Sequence, residues 1–317
     1  MSSTKSKFTD ALIGVIVPTL LFICGGLSDK AAKRLAIVVA TLMRIFYRPG
    51  VKLIRTNLAL AFPNYKDDEI RRLSNSNLKH LAWNWIDFLR ILRKPSLVES
   101  LMEEVEGADE LANQIILCLP HLGSWELLAQ YIPKLIPDSA AVAEVFPYKS
   151  LNNVLDKSRS VNGLKLIPRT GAAKNVISAI RKGTSIGFLI DQNLSPKHGG
   201  IFVEFRGLPV PTSPLPAIIA LRYGVQLVSG TCIRKQNGKF KMLLTPLQLS
   251  PDDDKFSLTQ KILTANESLI THYPEQYIWL YQRWKYIPSD IPAELKAKYP
   301  YYAKEKGYMA YSDAREK

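Results

Sequence analysis

The sequence predicts an α/β protein with a mostly parallel central sheet flanked by helices and an apolar helix at its N-terminus. Apolar segments of strand length recur from residue 115 onward and alternate with helical patterns, which is typical of parallel sheets. Polar side chains directly follow several of these segments, as they do in sheets that carry a site at their strand ends. A long uncharged apolar run precedes both features. At 317 residues the chain can bury a substantial core.

The uncharged run covers residues 11–27, with the sequence ALIGVIVPTLLFICGGL. Its length is close to the lower limit for crossing a hydrocarbon core of about 30 Å. Basic residues are denser on its C-terminal side, which favours a cytoplasmic position for the rest of the chain. A single span, an interfacial anchor and a buried core helix are all compatible with this pattern. We expect residues 1–30 to form a membrane anchor.

Three further regions follow the anchor. Residues 31–100 have helical periodicity, with an apolar stripe through Trp83 and Trp85, and we expect them to pack on the core. Residues 101–288 hold the alternating strands and helices and are predicted to form the α/β domain. Residues 289–317 form a C-terminal tail rich in Lys, Tyr and Pro, for which the sequence predicts no role.

The α/β domain is predicted from six strand-like segments and the helical patterns between them. The predicted strands are Ile115–Leu119, Ala140–Phe146, Leu164–Leu166, Ser185–Ile190, Val225–Ile233 and Phe240–Leu244. The clearest helices are Ser150–Val161 and Ala172–Lys182. The Pro- and Gly-rich stretch Gly199–Pro216 is predicted to be an extended loop. It either covers a groove for a lipid chain or simply connects to a helix that begins near Pro216.

A candidate catalytic pair follows the first predicted strand. His121 comes directly after Pro120, in the turn before a helix predicted from Trp125, and Glu126 lies in the first turn of that helix. This arrangement can hold an imidazole beside a carboxylate at the edge of a sheet. Taken alone, the spacing favours an incidental histidine at a strand–helix junction, so the surroundings must decide.

Polar groups at other strand ends indicate a site there. Asp191, Gln192 and Asn193 follow the strand Ser185–Ile190, and Arg169 follows the strand before it. Because ligands of α/β sheets bind at the carboxyl ends of the strands, we expect these side chains to gather near His121. A guanidinium in this position can bind a phosphate or an oxyanion in a bidentate way. A cap on a helix or turn is the alternative role for Asp191.

The chain is strongly basic, with a formal charge of +14, which implies an anionic partner. Nucleic acid, an anionic membrane surface and an acidic protein are the candidates. The three cysteines are widely spaced in apolar surroundings, which predicts neither a disulfide framework nor a metal site. The sequence contains no C-x-x-C, H-E-x-x-H or Walker glycine loop, so no metal or nucleotide is expected. No RNP, OB-fold or recognition-helix pattern supports a nucleic-acid partner.

A series of motifs carries a family resemblance over roughly residues 8–288. In order they are the apolar N-terminal segment, Asn57-Leu58, Phe62-Pro63, His121-x4-Glu126, Asp191-Gln192-Asn193, Phe205-Arg206-Gly207-Leu208-Pro209 with Thr212, and Glu275–Lys285. With these motifs the chain resembles the lauroyl/myristoyl acyltransferases of bacterial lipid A biosynthesis, in the lysophospholipid-acyltransferase-like superfamily. The resemblance implies a glycerolipid-acyltransferase-like fold at the bacterial inner membrane, with the catalytic domain on the cytoplasmic side.

The resemblance further implies transfer of a fatty acyl chain from acyl carrier protein to a hydroxyl of a lipid A precursor, in late acylation of lipopolysaccharide. Acyl-acyl carrier protein is then a co-substrate, and no cofactor is expected. The implied partners are the acidic carrier protein, the lipid A precursor and anionic inner-membrane lipids, with no nucleic acid. The alternative acceptor is another glycolipid, a phospholipid or an aminolipid. A basic membrane- or nucleic-acid-binding protein without catalysis is a more remote alternative.

Residue roles follow from the same resemblance. His121 is expected to be the general base on the acceptor hydroxyl, with Glu126 holding its imidazole in the useful tautomer. The expected substrate-binding or oxyanion-stabilising residues are Arg159, Arg169, Asp191, Gln192 and Asn193. The expected membrane or carrier contacts are Trp279, Arg283, Trp284 and Lys285. Two departures from the family pattern stand out: Glu126, where Asp is also common, and Arg206, which interrupts a typical Phe-Phe-Gly.

Overall fold

The computed structural model describes residues 2–144, 148–305 and 311, with side chains described from Leu12 onward except at residue 150. Five helices lead into the sheet: α1 (Ser2–Gly25), α2 (Asp29–Phe46), α3 (Arg48–Ala61), α4 (Asp67–Arg93) and the short α5 (Leu97–Leu101). The Ser28 hydroxyl caps α2 by accepting a hydrogen bond from the Ala31 N–H. Three acids occupy the first turn of α4, where they complement the helix dipole. The predicted helical character of residues 31–100 is confirmed.

Over the described residues, the central sheet consists of β1 (Met102–Glu106), β2 (Ile115–Leu119), β3 (Ser139–Ala143), β4 (Lys165–Pro168), β5 (Ser185–Leu189), β8 (Gln226–Arg234) and β9 (Phe240–Pro246). The order of these seven strands across the sheet is β1-β9-β8-β2-β5-β3-β4. Among the described residues, β8 and β9 pair antiparallel and the other neighbours pair parallel. The predicted mostly parallel sheet is confirmed. β1 was not predicted, and residues 145–146 of the predicted strand Ala140–Phe146 lie outside the described residues.

Helices cover both faces of the sheet. They are α6 (Trp125–Leu135), α7 (Lys149–Val161), α8 (Ala172–Arg181), α9 (Leu215–Tyr223) and α10 (Lys255–His272), with short 3-10 helices at Ala108–Glu110, Pro196–His198 and Pro274–Gln276. β2 is buried along its whole length because it lies in the middle of the sheet. Ile116 and Cys118 pack in the core that includes α8, α9 and α10. Ile115, Leu117 and Leu119 pack in the core on the α5 and α6 side.

A β-hairpin forms where the sequence predicted an extended loop. β6 (Ile201–Phe205) and β7 (Leu208–Thr212) pair antiparallel, with Phe205 opposite Leu208. The two-residue turn between them has positive φ at Arg206 (53°) and Gly207 (72°), as a type I′ turn requires. β7 was not predicted as a strand because it contains two prolines. They are two residues apart, so their missing N–H groups face the same edge of the strand, away from β6.

The C-terminal tail packs back on the body of the protein. β10 (Tyr286–Ile287) pairs with β11 (Lys304–Glu305), and the short α11 (Ala293–Lys296) lies between them. The Tyr299 hydroxyl donates to the Pro209 carbonyl at 2.6 Å, and the Tyr302 hydroxyl donates to Asn57 Oδ1 at 2.6 Å. The tail is therefore tied to β7 and to α3.

The N-terminal region departs from its prediction. Over the residues that the structure describes, no helix has both the length and the apolar character needed to cross a membrane. The predicted transmembrane helix is not supported there. Leu21 and Cys24 on α1 are buried, whereas Phe22 is 75% exposed.

Candidate active site

The site is centred on a hydrogen bond between His121 and Asp191. His121 Nδ1 lies 2.6 Å from Asp191 Oδ1, and the backbone N–H of His121 donates to Asp191 Oδ2 at 2.8 Å. Both oxygens of the Asp191 carboxylate therefore contact His121. Asp191 is 1% exposed and His121 is 9% exposed. This geometry fixes both the backbone and the ring of the histidine.

The sheet register brings this pair together. β2 and β5 are parallel neighbours, and Leu119 at the end of β2 lies opposite Leu189 at the end of β5. His121 and Asp191 each follow two residues later, so they emerge side by side at the carboxyl edge of the sheet. The Ile190 N–H, which donates to the Leu119 carbonyl at 3.1 Å, extends the pairing towards the site. The predicted gathering of polar groups at strand ends is confirmed for these two residues.

Asp191 is held ionised by its surroundings. Burial alone would raise the pKa of this carboxyl, but the charge of His121, its two hydrogen bonds and the charge of Arg283 outweigh burial and lower the pKa. When Nδ1 donates its hydrogen bond to the Asp191 carboxylate, the lone pair of a neutral imidazole lies on Nε2. Gln192 Nε2 lies 3.4 Å from that second nitrogen, and the Trp125 ring meets the imidazole edge-on at 5.0 Å.

The predicted pairing of Glu126 with His121 is wrong. Arg159 binds the Glu126 carboxylate with two hydrogen bonds, Nε to Oε1 at 3.0 Å and Nη2 to Oε2 at 2.9 Å. Gln130, one turn further along α6, donates to Oε1 at 3.0 Å. Because Glu126 begins α6 while His121 precedes it in the turn, the carboxylate points to α7 and the imidazole to the end of β5. Asp191, rather than Glu126, is the carboxylate in contact with the His121 ring.

The turn that carries His121 is fixed by its backbone. Gly123 has φ +63°, and a Cβ there would lie 2.0 Å from the Cys232 carbonyl oxygen, so glycine is required. The Ser124 N–H donates to that carbonyl at 2.7 Å, and the Asn84 amide donates to the Gly123 carbonyl at 2.7 Å. The Ile278 N–H donates to the His121 carbonyl at 3.1 Å. The histidine is therefore positioned before any substrate binds.

The segment Glu275–Lys285 supports the site from inside the protein. Trp279, Arg283 and Trp284 are each no more than 1% exposed, so their predicted role as membrane or carrier contacts is wrong. Their burial follows from aromatic packing with Phe205 and the helical core, a tertiary contact that the local sequence does not reveal. Lys285 differs from them in being exposed.

Three residues of this segment hold the loop after Asp191. The Tyr281 hydroxyl accepts from the Asn193 N–H at 2.9 Å, and the Gln282 carbonyl accepts from the Asn193 side-chain amide at 3.0 Å. Arg283 donates to Asn193 Oδ1 at 3.1 Å and to Thr212 Oγ1 at 2.6 Å. Asn193 therefore ties the loop after Asp191 to the segment Glu275–Lys285, and its side-chain amide faces that segment.

A cavity of about 1150 Å³ opens beside His121. Its walls are mainly apolar and include Leu117 and Leu119 of β2 and Leu128 of α6. His121, Glu126, Arg159, Arg169 and Gln192 also line it. Arg169 is half exposed, with Nη1 at 3.2 Å from Glu144 Oε2. An apolar cavity with a few polar groups at one end suits a long apolar ligand with a reactive polar head.

Gln130 is a site residue that the sequence analysis missed. It is fully buried, donates to Glu126 and accepts from the Asn162 amide at 3.0 Å. Its position four residues after Glu126 on a predicted helix was the available signal, since residues at this spacing share a face. Asn84, which supports Gly123 from α4, had no comparable signal because the two are far apart in sequence.

Comparisons with known proteins identify the family of the chain. The family model of bacterial lipid A biosynthesis acyltransferases matches residues 2–286. The chain is similar to the lipid A biosynthesis lauroyltransferase of Escherichia coli (strain K12), with 25% identity over 264 residues, 78% of this chain and 83% of the relative. It is similar to the palmitoleoyltransferase of the same organism at 24% identity over 265 residues, 79% and 83% of the two chains.

A mycobacterial enzyme is also similar. The phosphatidylinositol mannoside acyltransferase of Mycolicibacterium smegmatis is 22% identical over 259 residues, which is 78% of this chain and 83% of the relative. The family model covers nearly the whole chain and includes both the helices before the sheet and the segment behind the His121–Asp191 pair. The chain therefore belongs to the bacterial lipid A biosynthesis acyltransferase family.

Proposed function

We propose that the protein transfers a fatty acyl chain from acyl carrier protein to a hydroxyl of a lipid A precursor, as a late step in making lipopolysaccharide lipid A. The observation that carries this proposal is the His121–Asp191 pair at the polar end of an apolar cavity of about 1150 Å³. The family membership supports the reaction class. The acyl thioester is a co-substrate, and the reaction as proposed needs no metal or other cofactor.

His121 acts as the general base in this reaction. Its Nδ1 is occupied by Asp191, so Nε2 takes the proton of the acceptor hydroxyl as the oxygen attacks the thioester carbonyl. Asp191 stabilises the imidazolium that results, as the acid of a Ser-His-Asp triad does. The tetrahedral intermediate then expels the carrier thiolate, which receives the proton from Nε2. The acceptor oxygen attacks directly, so the protein supplies no nucleophile.

Arg159 is the stronger candidate for stabilising negative charge in the cavity. Glu126 holds its guanidinium by two hydrogen bonds, and its side chain is 17% exposed, so the group is fixed yet accessible from the cavity. A preorganised cation beside developing charge lowers the barrier to its formation. Arg169 is more exposed and paired with Glu144, which suits a contact to a phosphate of the acceptor rather than to the reacting atoms.

The charge of the protein suits the proposed partners. Acyl carrier protein is acidic, the lipid A precursor carries phosphates, and a net charge of +14 attracts both. The same charge favours anionic inner-membrane lipids, and we place the catalytic domain on the cytoplasmic side, where acyl carrier protein is found. Phe22 on α1 and Phe46 on α2, each at least 75% exposed, provide apolar contacts to the membrane surface.

The second candidate is the same reaction on another lipid acceptor. The similarity to a phosphatidylinositol mannoside acyltransferase favours this alternative, because that relative covers as much of the chain as the lauroyltransferase does. The two candidates share the site and differ only in the acceptor.

A transfer assay separates the candidates. Labelled acyl-acyl carrier protein is offered with a lipid A precursor, a phosphatidylinositol mannoside, an aminolipid or a lysophospholipid as acceptor. We expect label in the lipid A precursor and loss of transfer in His121→Ala, with folding unchanged by circular dichroism. Mass spectrometry of lipid A from cells that lack the protein should show one acyl chain fewer. Transfer only to another acceptor would replace the first candidate by the second, and normal turnover by His121→Ala would refute the mechanism.

A further inference from the structure

A basic cleft lies at the junction of α2 and α3, separate from the cavity beside His121. It has a volume of about 350 Å³. Its lining consists of Arg44, Arg48, Val51, Lys52, Arg55 and Thr56. Four of these six side chains are cations and none is acidic.

The helix geometry concentrates the positive charge. Arg48, Lys52 and Arg55 are spaced i, i+4 and i+7 on α3 and so share one face, and Arg44 reaches the cleft from the last turn of α2. Like charges at this spacing repel each other and destabilise a helix. No carboxylate of the described residues forms an ion pair with any of the four. An anion bound in the cleft would relieve that repulsion.

Two side chains of the cleft have an incomplete set of contacts. Arg55 Nε is buried and has no hydrogen-bond partner among the described residues, which leaves one donor of its guanidinium unused. Lys52 Nζ lies 4.5 Å from the centre of the Tyr301 ring, a cation–π contact that leaves its three N–H donors available. Guanidinium and ammonium donors that converge on one cleft match the oxygens of a phosphate group.

An apolar surface adjoins the cleft. Phe46 is 78% exposed, and Ile45, Tyr47 and Leu42 are about half exposed at the same end of α2. Together these side chains form an apolar ridge next to the four cations. Cations beside exposed aromatic and aliphatic side chains are typical of surfaces that lie at the interface of an anionic membrane.

We propose that the basic cleft binds the phosphate of an anionic bilayer phospholipid while the apolar ridge enters the interface beside it. The inference rests on the proposed function only in placing the protein at a membrane. An acidic protein partner would account for the cations but not for the adjoining apolar ridge. The cleft thereby gives the protein a fixed contact with the lipid surface that is distinct from its substrate cavity.

The test is co-sedimentation of the full-length protein with vesicles of phosphatidylcholine, with or without phosphatidylglycerol. The test variant is Arg48→Gln with Lys52→Gln, and the matched control is Lys182→Gln with Arg222→Gln. These are two exposed cations outside the cleft, one directly after α8 and one on α9. We expect the test variant to bind phosphatidylglycerol vesicles about 30-fold more weakly than wild type and the control to bind within about threefold. Thermal melting of both variants verifies folding.

Two other outcomes of the vesicle experiment would overturn the proposal. Equal losses in the two variants would mean that net charge, not the cleft, attracts the protein to the vesicles. Wild-type vesicle binding by the test variant, with weaker binding of acyl carrier protein, would make the cleft a protein-docking surface. No acyl transfer takes place in this measurement, so its failure leaves the acyltransferase proposal intact, and failure of the transfer assay leaves the vesicle result intact.

Discussion

Arg159 and Glu126 form a two-point ion pair across the wall of the cavity, with Nε–Oε1 and Nη2–Oε2 distances of 3.0 and 2.9 Å. The His121-x4-Glu126 spacing is therefore not the spacing of an imidazole–carboxylate pair in this protein. It places the imidazole and the anchor of a guanidinium on either side of one helix N-terminus. The carboxylate that contacts the imidazole follows another strand, at Asp191.

The first prediction concerns Asp191. Asp191→Asn keeps the shape of the side chain but removes the negative charge that fixes the Nδ1 proton of His121. We expect kcat to fall roughly 10³–10⁴-fold, as it does when a triad acid is replaced by its amide. Steady-state acyl transfer measures this, with circular dichroism as the control for folding. Retention of more than about a tenth of the activity would remove Asp191 from the mechanism.

The second prediction distinguishes the two acids. Glu126→Gln should leave the His121–Asp191 pair intact and free Arg159 to move, with a loss of about 10–100-fold in kcat/KM. Arg159→Lys should show a similar loss, because an ammonium cannot reproduce the two-point contact. The double variant should lose little more than either single variant, since both disrupt one unit. Losses that multiply in the double variant would show that the two residues act separately.

The third prediction concerns the buried Arg283. Its guanidinium donates hydrogen bonds to Asn193 and Thr212. Burial lowers the pKa of Arg283, and its positive charge lowers the pKa of the nearby Asp191. Arg283→Met leaves these acceptors unpaired and should lower the free energy of unfolding by about 3 kcal/mol. It should also lower kcat, because the loop after Asp191 loses its tether. Urea unfolding and acyl transfer measure the two effects, and Thr212→Val serves as a milder control. A variant as stable and active as wild type would contradict the prediction.

The fourth prediction is a pH dependence of stability. Burial lowers the pKa of His80 from 6.5 to about 4, with the charges of Arg234 and Lys79 adding to the effect. The unfolded chain therefore binds a proton between pH 6.5 and 4 that the folded protein does not bind. Stability should fall as the pH falls through this window, by about 3 kcal/mol from this residue.

His80→Gln is the control for that window. It removes the titrating group, so the fall in the free energy of unfolding between pH 6.5 and 4 should become smaller by the same amount. Chemical unfolding at a series of pH values measures both proteins. Identical pH profiles would show that His80 contributes nothing to the acid sensitivity.

The fifth prediction tests the cavity as the site of the acyl chain. Gly187 on β5 lines the cavity, and a Cβ there would make only an ordinary van der Waals contact, with the Ala140 carbonyl oxygen at 3.8 Å. Gly187→Val should narrow the cavity and shift donor preference to shorter acyl chains, with Gly187→Ala showing a smaller shift. Transfer rates with carrier proteins that bear different chain lengths measure this. An unchanged chain preference in both variants would place the acyl chain elsewhere.

Much of the fold was predictable because its strands and helices follow from local patterns of apolar and polar residues. All six predicted strands of the central sheet contain strand residues, and their mostly parallel arrangement followed from the helices between them. The hairpin after residue 200 was not predictable in the same way. Pro209 and Pro211 argue against a strand, because a proline has no N–H group to donate to a neighbouring strand. They are tolerated in β7 because it pairs with β6 along one edge only, which the local sequence does not reveal.

Local patterns and motif order were sufficient to predict the acyltransferase class, the strand–turn–helix around His121 and the polar residues at the strand ends. The tertiary structure decided which carboxylate serves the histidine. Residues 121 and 126 are close in sequence but diverge at a helix N-terminus, whereas residues 121 and 191 are brought together by the register of β2 and β5. It also decided that Trp279, Arg283 and Trp284 lie inside the protein, since burial depends on what the rest of the chain packs against them.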